Sequence, residues 1–210
     1  MALTQVLTGG IKADAVDNTI LKLDDNFAFT GTVSGSGGMD LLYTLTSSSS
    51  VSAHDISSTY INSTYDNYYL VGYFEGDADS RKLQMRVFVG GSIQTGSIHG
   101  FANMYFDSDD AHTNSHGADH LATCTTFSMG GEDGEGVHIS AVFQNTNSTR
   151  APFCVHGFST QHSDGGNHSG GIFSGALLPA NRANVVNGLR LKADSGNITY
   201  ATLKLYGIKN

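Results

Sequence analysis

Strict alternation of apolar and polar residues recurs along this chain, and it constrains the fold more than any other feature of the sequence. In residues 83–89 every second residue is apolar, and the runs 137–143 and 151–158 alternate in the same way. A period of two places the apolar side chains on one face of a β-strand. No segment carries a sustained helical stripe with caps, so the sequence predicts an all-β fold.

The composition fits short strands that are joined by tight turns. Glycine accounts for 26 of the 210 residues and proline for only two, and glycine reaches the positive φ values that tight turns need. The alternating runs predict roughly nine to eleven strands after residue 38. Two antiparallel sheets packed as a jelly-roll-like β-sandwich suit this pattern best, and a single closed barrel is the competing architecture.

Two stretches carry more specific expectations about strand placement. Residues 68–74 are almost uniformly apolar, which predicts a central strand covered on both faces. The alternating runs 185–193 and 198–208 flank an Asp-Ser-Gly-Asn turn, which predicts a closing β-hairpin. The two strands of this hairpin should direct four leucines toward one core: Leu189, Leu191, Leu203 and Leu205.

The first 38 residues differ in composition and pattern from the rest of the chain. A Ser/Gly run at 34–38 indicates a flexible linker, which divides the chain into an N-terminal arm, 1–38, and a β-sandwich head, 39–210. A piece of this length cannot bury a core alone, so its apolar side chains need another surface, in a symmetry mate or a host assembly. An extended arm folded back on its own domain is the alternative. The apolar positions are Leu3, Val6, Leu7, Ile11, Val16, Ile20, Leu21, Leu23, Phe27 and Phe29.

Charge and cysteine content exclude several classes of function. The net charge of −8, the pI of about 5.4 and the scattered basic residues argue against a nucleic-acid partner. No apolar run approaches the length of a membrane span, so no membrane insertion is expected, and the N-terminal sequence has no signal-peptide pattern. Cys124 and Cys154 are expected to be reduced thiols, with a bridge between adjacent strands as the alternative.

Histidine is the residue type that most suggests metal chemistry here. His112, His116 and His120 recur every four residues, a spacing that aligns imidazoles on a helix, and zinc needs three or four converging ligands. The Asn, Ser and Gly residues between them favour a solvated loop instead. His162 and His168 are assigned to a second loop on the same grounds. The segment 130–136 lacks the ligand spacing of a calcium loop and predicts solvated charges.

No catalytic constellation can be recognised in the sequence. The chain lacks the nucleophile elbow, the zinc-protease motif, the phosphate-binding loop and the dinucleotide fingerprint. A glycosidase carboxylate pair stays open because acids are frequent, although no Trp is present as a stacking platform. The sequence therefore predicts a protein that is not an enzyme and needs no cofactor.

The residues 10–16 and 26–33 resemble the N-terminal segments of bacteriophage tail-fibre and other virion appendage proteins, especially those of phages of marine bacteria. The segment 65–69, Tyr-Asp-Asn-Tyr-Tyr, and the closing stretch 188–207 are similar to compact β-sandwich domains appended to such fibres. The resemblance implies a virion surface component, commonly trimeric, that is assembled in the host cytoplasm. It also implies that residues 1–34 attach the chain to other virion proteins.

The leading hypothesis from the sequence is a non-enzymatic virion structural protein, either a short tail-fibre-like appendage or a capsid-surface protein. A carbohydrate-binding module that contacts host surface glycans is the first alternative. A polysaccharide depolymerase is the second. The first two functions can coexist in one protein.

Overall fold

The structure is a computed structural model that describes residues 38–79, 81–107, 112–117, 121–124, 129–162 and 168–209. These ranges contain β-strands and one short 3₁₀ helix, η1, at Pro179–Asn181, but no α-helix. The strands are β1 (Met39–Ser47), β2 (Ala53–Ile56), β3 (Asn67–Gly76), β4 (Leu83–Val89), β5 (Ser92–Ile93), β6 (His99–Asp107), β7 (His112–Gly117), β8 (Ala122–Thr123), β9 (Val137–Gln144), β10 (Cys154–His162), β11 (His168–Leu177), β12 (Val186–Ala193) and β13 (Ile198–Ile208).

The strands form two antiparallel sheets. The larger has eight strands in the order β1-β13-β3-β9-β10-β11-β6-β7, and the smaller has five strands, β2-β12-β4-β5 with β8 also paired to β4. Strands β5 and β8 have two residues each, and the other eleven agree with the number predicted from alternation. The predicted all-β antiparallel sandwich is confirmed.

A single hydrophobic core lies between the sheets. It contains Met85 and Leu191 from the smaller sheet together with Leu70 and Leu205 from the larger one, and each is at most 1% exposed. The period-two pattern of β4 is confirmed from Leu83 to Val87, where the inward residues are buried and the outward residues are half-buried, whereas the last inward residue, Val89, is half-buried. The hydroxyl of the buried Tyr68 donates a hydrogen bond to the carbonyl of Asn62 at 2.9 Å, since a buried phenol needs a hydrogen-bond partner.

Strand β3 occupies the predicted central position, between β13 and β9. Its inward residues are buried, but the outward residues Tyr69, Val71 and Tyr73 are only half-buried. The expected cover on both faces is therefore not found among the described residues. The outward-facing Tyr69 instead forms a hydrogen bond with a neighbouring side chain, its hydroxyl oxygen lying 3.0 Å from that of Ser140.

The predicted closing hairpin is wrong. β12 pairs with β2 and β4 in the smaller sheet, whereas β13 pairs with β1 and β3 in the larger one. The turn between them crosses from one sheet to the other, and the Asp77 carboxylate holds it by accepting from the backbone N–H of Asn197 at 2.8 Å. The prediction that Leu189, Leu191, Leu203 and Leu205 share one core is correct.

Residues 1–37 of the predicted N-terminal arm lie outside the described residues, as do all the apolar positions assigned to the arm. Its role in attachment stays a prediction, and the first described strand begins at Met39. Within the described ranges, no helix has the length and apolar character needed to cross a membrane.

Candidate functional site

The outer face of the eight-stranded sheet carries an exposed apolar patch. Phe158 of β10 lies directly opposite Ile172 of β11, and Ile172 lies opposite Met104 of β6. Phe158 is 64% exposed, and Ile172, Met104 and the nearby Phe106 are between 42% and 44% exposed. We call these four residues the apolar patch. Grouped exposed apolar side chains mark interaction surfaces, whereas single ones are ordinary.

The patch exists because β10 places small residues on its inward face and a large apolar residue on its outward face. The inward positions of β10 include Gly157 and Ser159, while the outward position between them is Phe158. A Cβ atom at Gly157 would lie 2.6 Å from Phe173 Cζ, so the ring of Phe173 occupies the space that a side chain would need. The ring of Phe173, on the neighbouring strand β11, therefore fills the core at this position, and Phe158 of β10 faces outward.

Charge is nearly absent from the strands that carry the patch. The sequences of β6, β7, β10 and β11 contain no Lys or Arg, and their only acidic residue is Asp107. The chain as a whole has a net charge of −8. The patch therefore lies on a neutral part of an otherwise acidic molecule. Depletion of charge with retention of aromatic and Met side chains is typical of the centre of a protein–protein interface.

Two shallow cavities lie beside the patch on the same face. One has a volume of about 380 Å³ and includes Phe158 and Ile172 in its lining, and the other has about 490 Å³. Three residues line both cavities: Ala102, His156 and Ser174. The outer face beside the patch is therefore indented and not flat.

The other half of the outer face is rich in Tyr and Thr. The ring of Tyr73 lies 4.5 Å from that of His138 and 6.2 Å from that of Tyr200. Burial, and then a 2.7 Å hydrogen bond donated to Glu75, raise the pKa of Tyr73. A cavity of about 480 Å³ beside this group has several threonines in its lining. Aromatic rings beside hydroxyl groups suit the apolar and polar faces of a sugar ring.

The structure changes the interpretation of the predicted histidine loops. His112 and His116 belong to β7 and not to a loop, and four residues along a strand separate their Cα atoms by about 13 Å. That distance removes the alignment that a helix would have given. His120 lies outside the described residues. No group of three or more metal-ligating side chains with suitable geometry occurs among the described residues.

The second histidine loop is also reassigned. His162 is the last residue of β10 and His168 is the first residue of β11, and the two face each other in register. Their ring centroids are 3.6 Å apart. Both line a cavity of about 450 Å³ together with His138 and Tyr73. Sequence reasoning missed this pair because it assigned the flanking residues to an open loop.

Both cysteines are free thiols, as predicted. Burial raises the pKa of each, and Cys124 is completely buried whereas Cys154 is partly exposed. In the acidic segment 130–136, Glu132 and Asp133 are exposed to solvent, in agreement with the predicted solvated charges. Glu135 departs from this prediction, because it is half-buried and its carboxylate oxygen Oε2 is buried without a hydrogen-bond partner among the described residues.

Comparison with known proteins gave no match to a family model, to a curated protein or to a solved structure.

Proposed function

We propose that this chain is a non-enzymatic structural protein of a virion surface, in which the β-sandwich is a displayed head and residues 1–34 attach it to the particle. The observation that carries the proposal is the apolar patch on a neutral sheet face. The resemblance of residues 10–16 and 26–33 to phage appendage proteins supplies the virion context. In this assembly the patch is the contact between copies of the head, which associate as trimers.

The electrostatics of the molecule support self-association through this face. Copies with a net charge of −8 repel each other over most orientations. The strands β6, β7, β10 and β11 remove that repulsion locally, because they carry one acidic residue and no basic residue. Burying Phe158 and Ile172 between copies also removes apolar surface from water, at about 25 cal/mol per Å².

Light scattering coupled to size-exclusion chromatography tests the proposal. We expect the full chain to be a trimer and Phe158→Ser to shift it toward monomer, since truncating a central aromatic costs about 2 kcal/mol or more, or about 30-fold in Kd. Val185→Ser is the matched control, because Val185 is also an exposed apolar residue but lies just before β12. A monomeric wild-type chain, or equal effects of both substitutions, would contradict the proposal.

Deletion of residues 1–34 tests the role of the arm separately. We expect a folded head that keeps its self-association and no longer joins the particle, because the patch belongs to the sandwich. Far-ultraviolet circular dichroism measures whether the head stays folded. If the shortened chain unfolds, the arm is part of the sandwich and the attachment role fails.

A second candidate function is glycan binding by the half of the outer face rich in Tyr and Thr. The observation that favours it is the Tyr73–His138–Tyr200 group beside a cavity of about 480 Å³. A glycan array would detect binding that Tyr200→Ala weakens. Release of sugar from the bound glycan would indicate a depolymerase instead.

A further inference from the structure

His162 and His168 lie opposite each other in the type of antiparallel residue pair whose side chains approach most closely. The backbone N–H of His162 donates to the carbonyl of Gly136, on the β9 side, at 3.2 Å. Because the N–H and C=O of one strand residue point to the same side, His162 makes no ladder bond toward β11. Its pairing with His168 is therefore of the non-hydrogen-bonded type, in which the Cα atoms are about 4.5 Å apart and the side chains lie closest.

We propose that His162 and His168 bind a divalent first-row transition-metal ion, Zn²⁺ in particular, through one imidazole nitrogen each. Zinc–nitrogen distances of about 2.0–2.1 Å in a tetrahedral arrangement place two ligand nitrogens about 3.3 Å apart. Because the ion lies beyond the nitrogen of each ring, this arrangement places the two ring centroids about 5 Å apart. The ring centroids of the pair are 3.6 Å apart and the ring planes are inclined by 58°, so the two exposed side chains rotate apart about their side-chain bonds when they share an ion.

The surroundings leave room for an ion and its water ligands. Both imidazoles are exposed, so a hydrated ion reaches them directly. The cavity of about 450 Å³ that they line also contains His138, on the neighbouring strand β9. Since the described residues contain no group of three metal ligands, the site has two protein ligands and completes its coordination with water.

The charge distribution favours a cation at this position. The strands β9, β10 and β11, on which the three histidines lie, contain no Lys or Arg that would repel the ion. The net charge of −8 raises the local concentration of cations around the molecule. Imidazole is a preferred ligand of Zn²⁺, Cu²⁺ and Ni²⁺ but not of Mg²⁺, which prefers oxygen ligands.

Isothermal titration calorimetry of the full chain without an affinity tag tests this site, with ZnCl₂ as the ligand and MgCl₂ as the negative control. We expect saturable binding of one Zn²⁺ per chain and no binding of Mg²⁺. His162→Gln and His168→Gln should each weaken Zn²⁺ binding by about tenfold or more, because even the loss of an outer-shell partner has an effect of this size. His156→Gln is the matched control, because His156 is an exposed histidine on the same strand and face.

Unfolding curves recorded in EDTA establish that each variant is folded before it is titrated. Absence of saturable Zn²⁺ binding to the wild-type chain would overturn the proposal. Equal binding by wild type and both pair variants, or equal weakening by His156→Gln, would also overturn it. A ratio of one ion to two or three chains would show an ion shared between copies, which contradicts a pair within one chain.

Discussion

Leu203 in β13 offers a direct test of how the sandwich is held together, because the next residue is its own control. Leu203 is 2% exposed and lies opposite Leu45 of β1 and Gly72 of β3, facing the core. Lys204 is exposed on the outer face. The substitutions Leu203→Asp and Lys204→Asp therefore place the same side chain on opposite faces of one strand.

The expected difference between them is large. Leu203→Asp loses about 1.5–3 kcal/mol of apolar burial and leaves a buried carboxyl without a partner, which costs about 1–3 kcal/mol more even when it is protonated. A loss of about 2.5–6 kcal/mol is a large fraction of a typical free energy of unfolding of about 5–15 kcal/mol. Lys204→Asp should change the free energy of unfolding by about 0.5 kcal/mol or less.

Urea unfolding monitored by circular dichroism measures both free energies. If Leu203→Asp does not fold, Leu203→Ala provides the same test with an expected loss of about 2–5 kcal/mol. Equal losses from the substitutions at Leu203 and Lys204 would refute the argument, because they would mean that β13 is buried on both faces. A small loss at Leu203 would mean that the two sheets do not pack through this strand.

Three further outcomes follow from particular contacts. Hydrogen bonds donated by Lys209 and by Tyr65 lower the pKa of Asp40 below its ordinary value of about 3.9. The stability that Asp40 contributes is therefore present above about pH 4 and is lost as the pH falls further. Acid-unfolding curves of Asp40→Asn should lack this component. Thiol titration of the native chain should modify at most one cysteine, and titration of the chain unfolded in guanidinium should modify two. Gly175→Ala places a Cβ against the Leu121 carbonyl oxygen and should cost about 1–3 kcal/mol in urea unfolding, whereas Gly170→Ala, where the nearest atom is 3.4 Å away, should cost less.

The failure of the hairpin prediction shows what alternation can and cannot establish. β12 alternates from Leu189 onward and β13 from Ala201 onward, and both bury leucines in the core, so the pattern predicts strand type and inward face. A hairpin and a crossing between two sheets place the same residues inward, and alternation cannot distinguish them. The distinction lies in the partner strands, β2 and β4 for β12 and β1 and β3 for β13, and in contacts such as that of Asp77, far away in sequence, with the N–H of Asn197 in the crossing turn. No local pattern contains that contact.

The candidate site was less predictable than the fold for a related reason. The apolar patch combines residues from β6, β10 and β11, and their adjacency depends on the strand order of the large sheet. The run 151–158 was predicted as a strand, and the strand β10 begins only at Cys154. Its Phe158 faces outward because Gly157 and Ser159 occupy the inward positions. The small residues on the buried phase were the available signal. The pairing of His162 with His168 needed the register of β10 and β11.

The salt dependence of self-association distinguishes an apolar contact from a charged one. Raising the salt concentration from about 0.1 M to about 1 M shortens the Debye length from about 10 Å to about 3 Å. For copies that meet through the neutral strands β6, β7, β10 and β11, this screens the repulsion between chains of net charge −8 and leaves the buried apolar area unaffected. The proposed trimer should therefore become tighter with added NaCl, as measured by sedimentation equilibrium. Self-association that weakens with salt would instead depend on ion pairs between copies, which contradicts a contact through strands that contain no basic residue and a single acidic one.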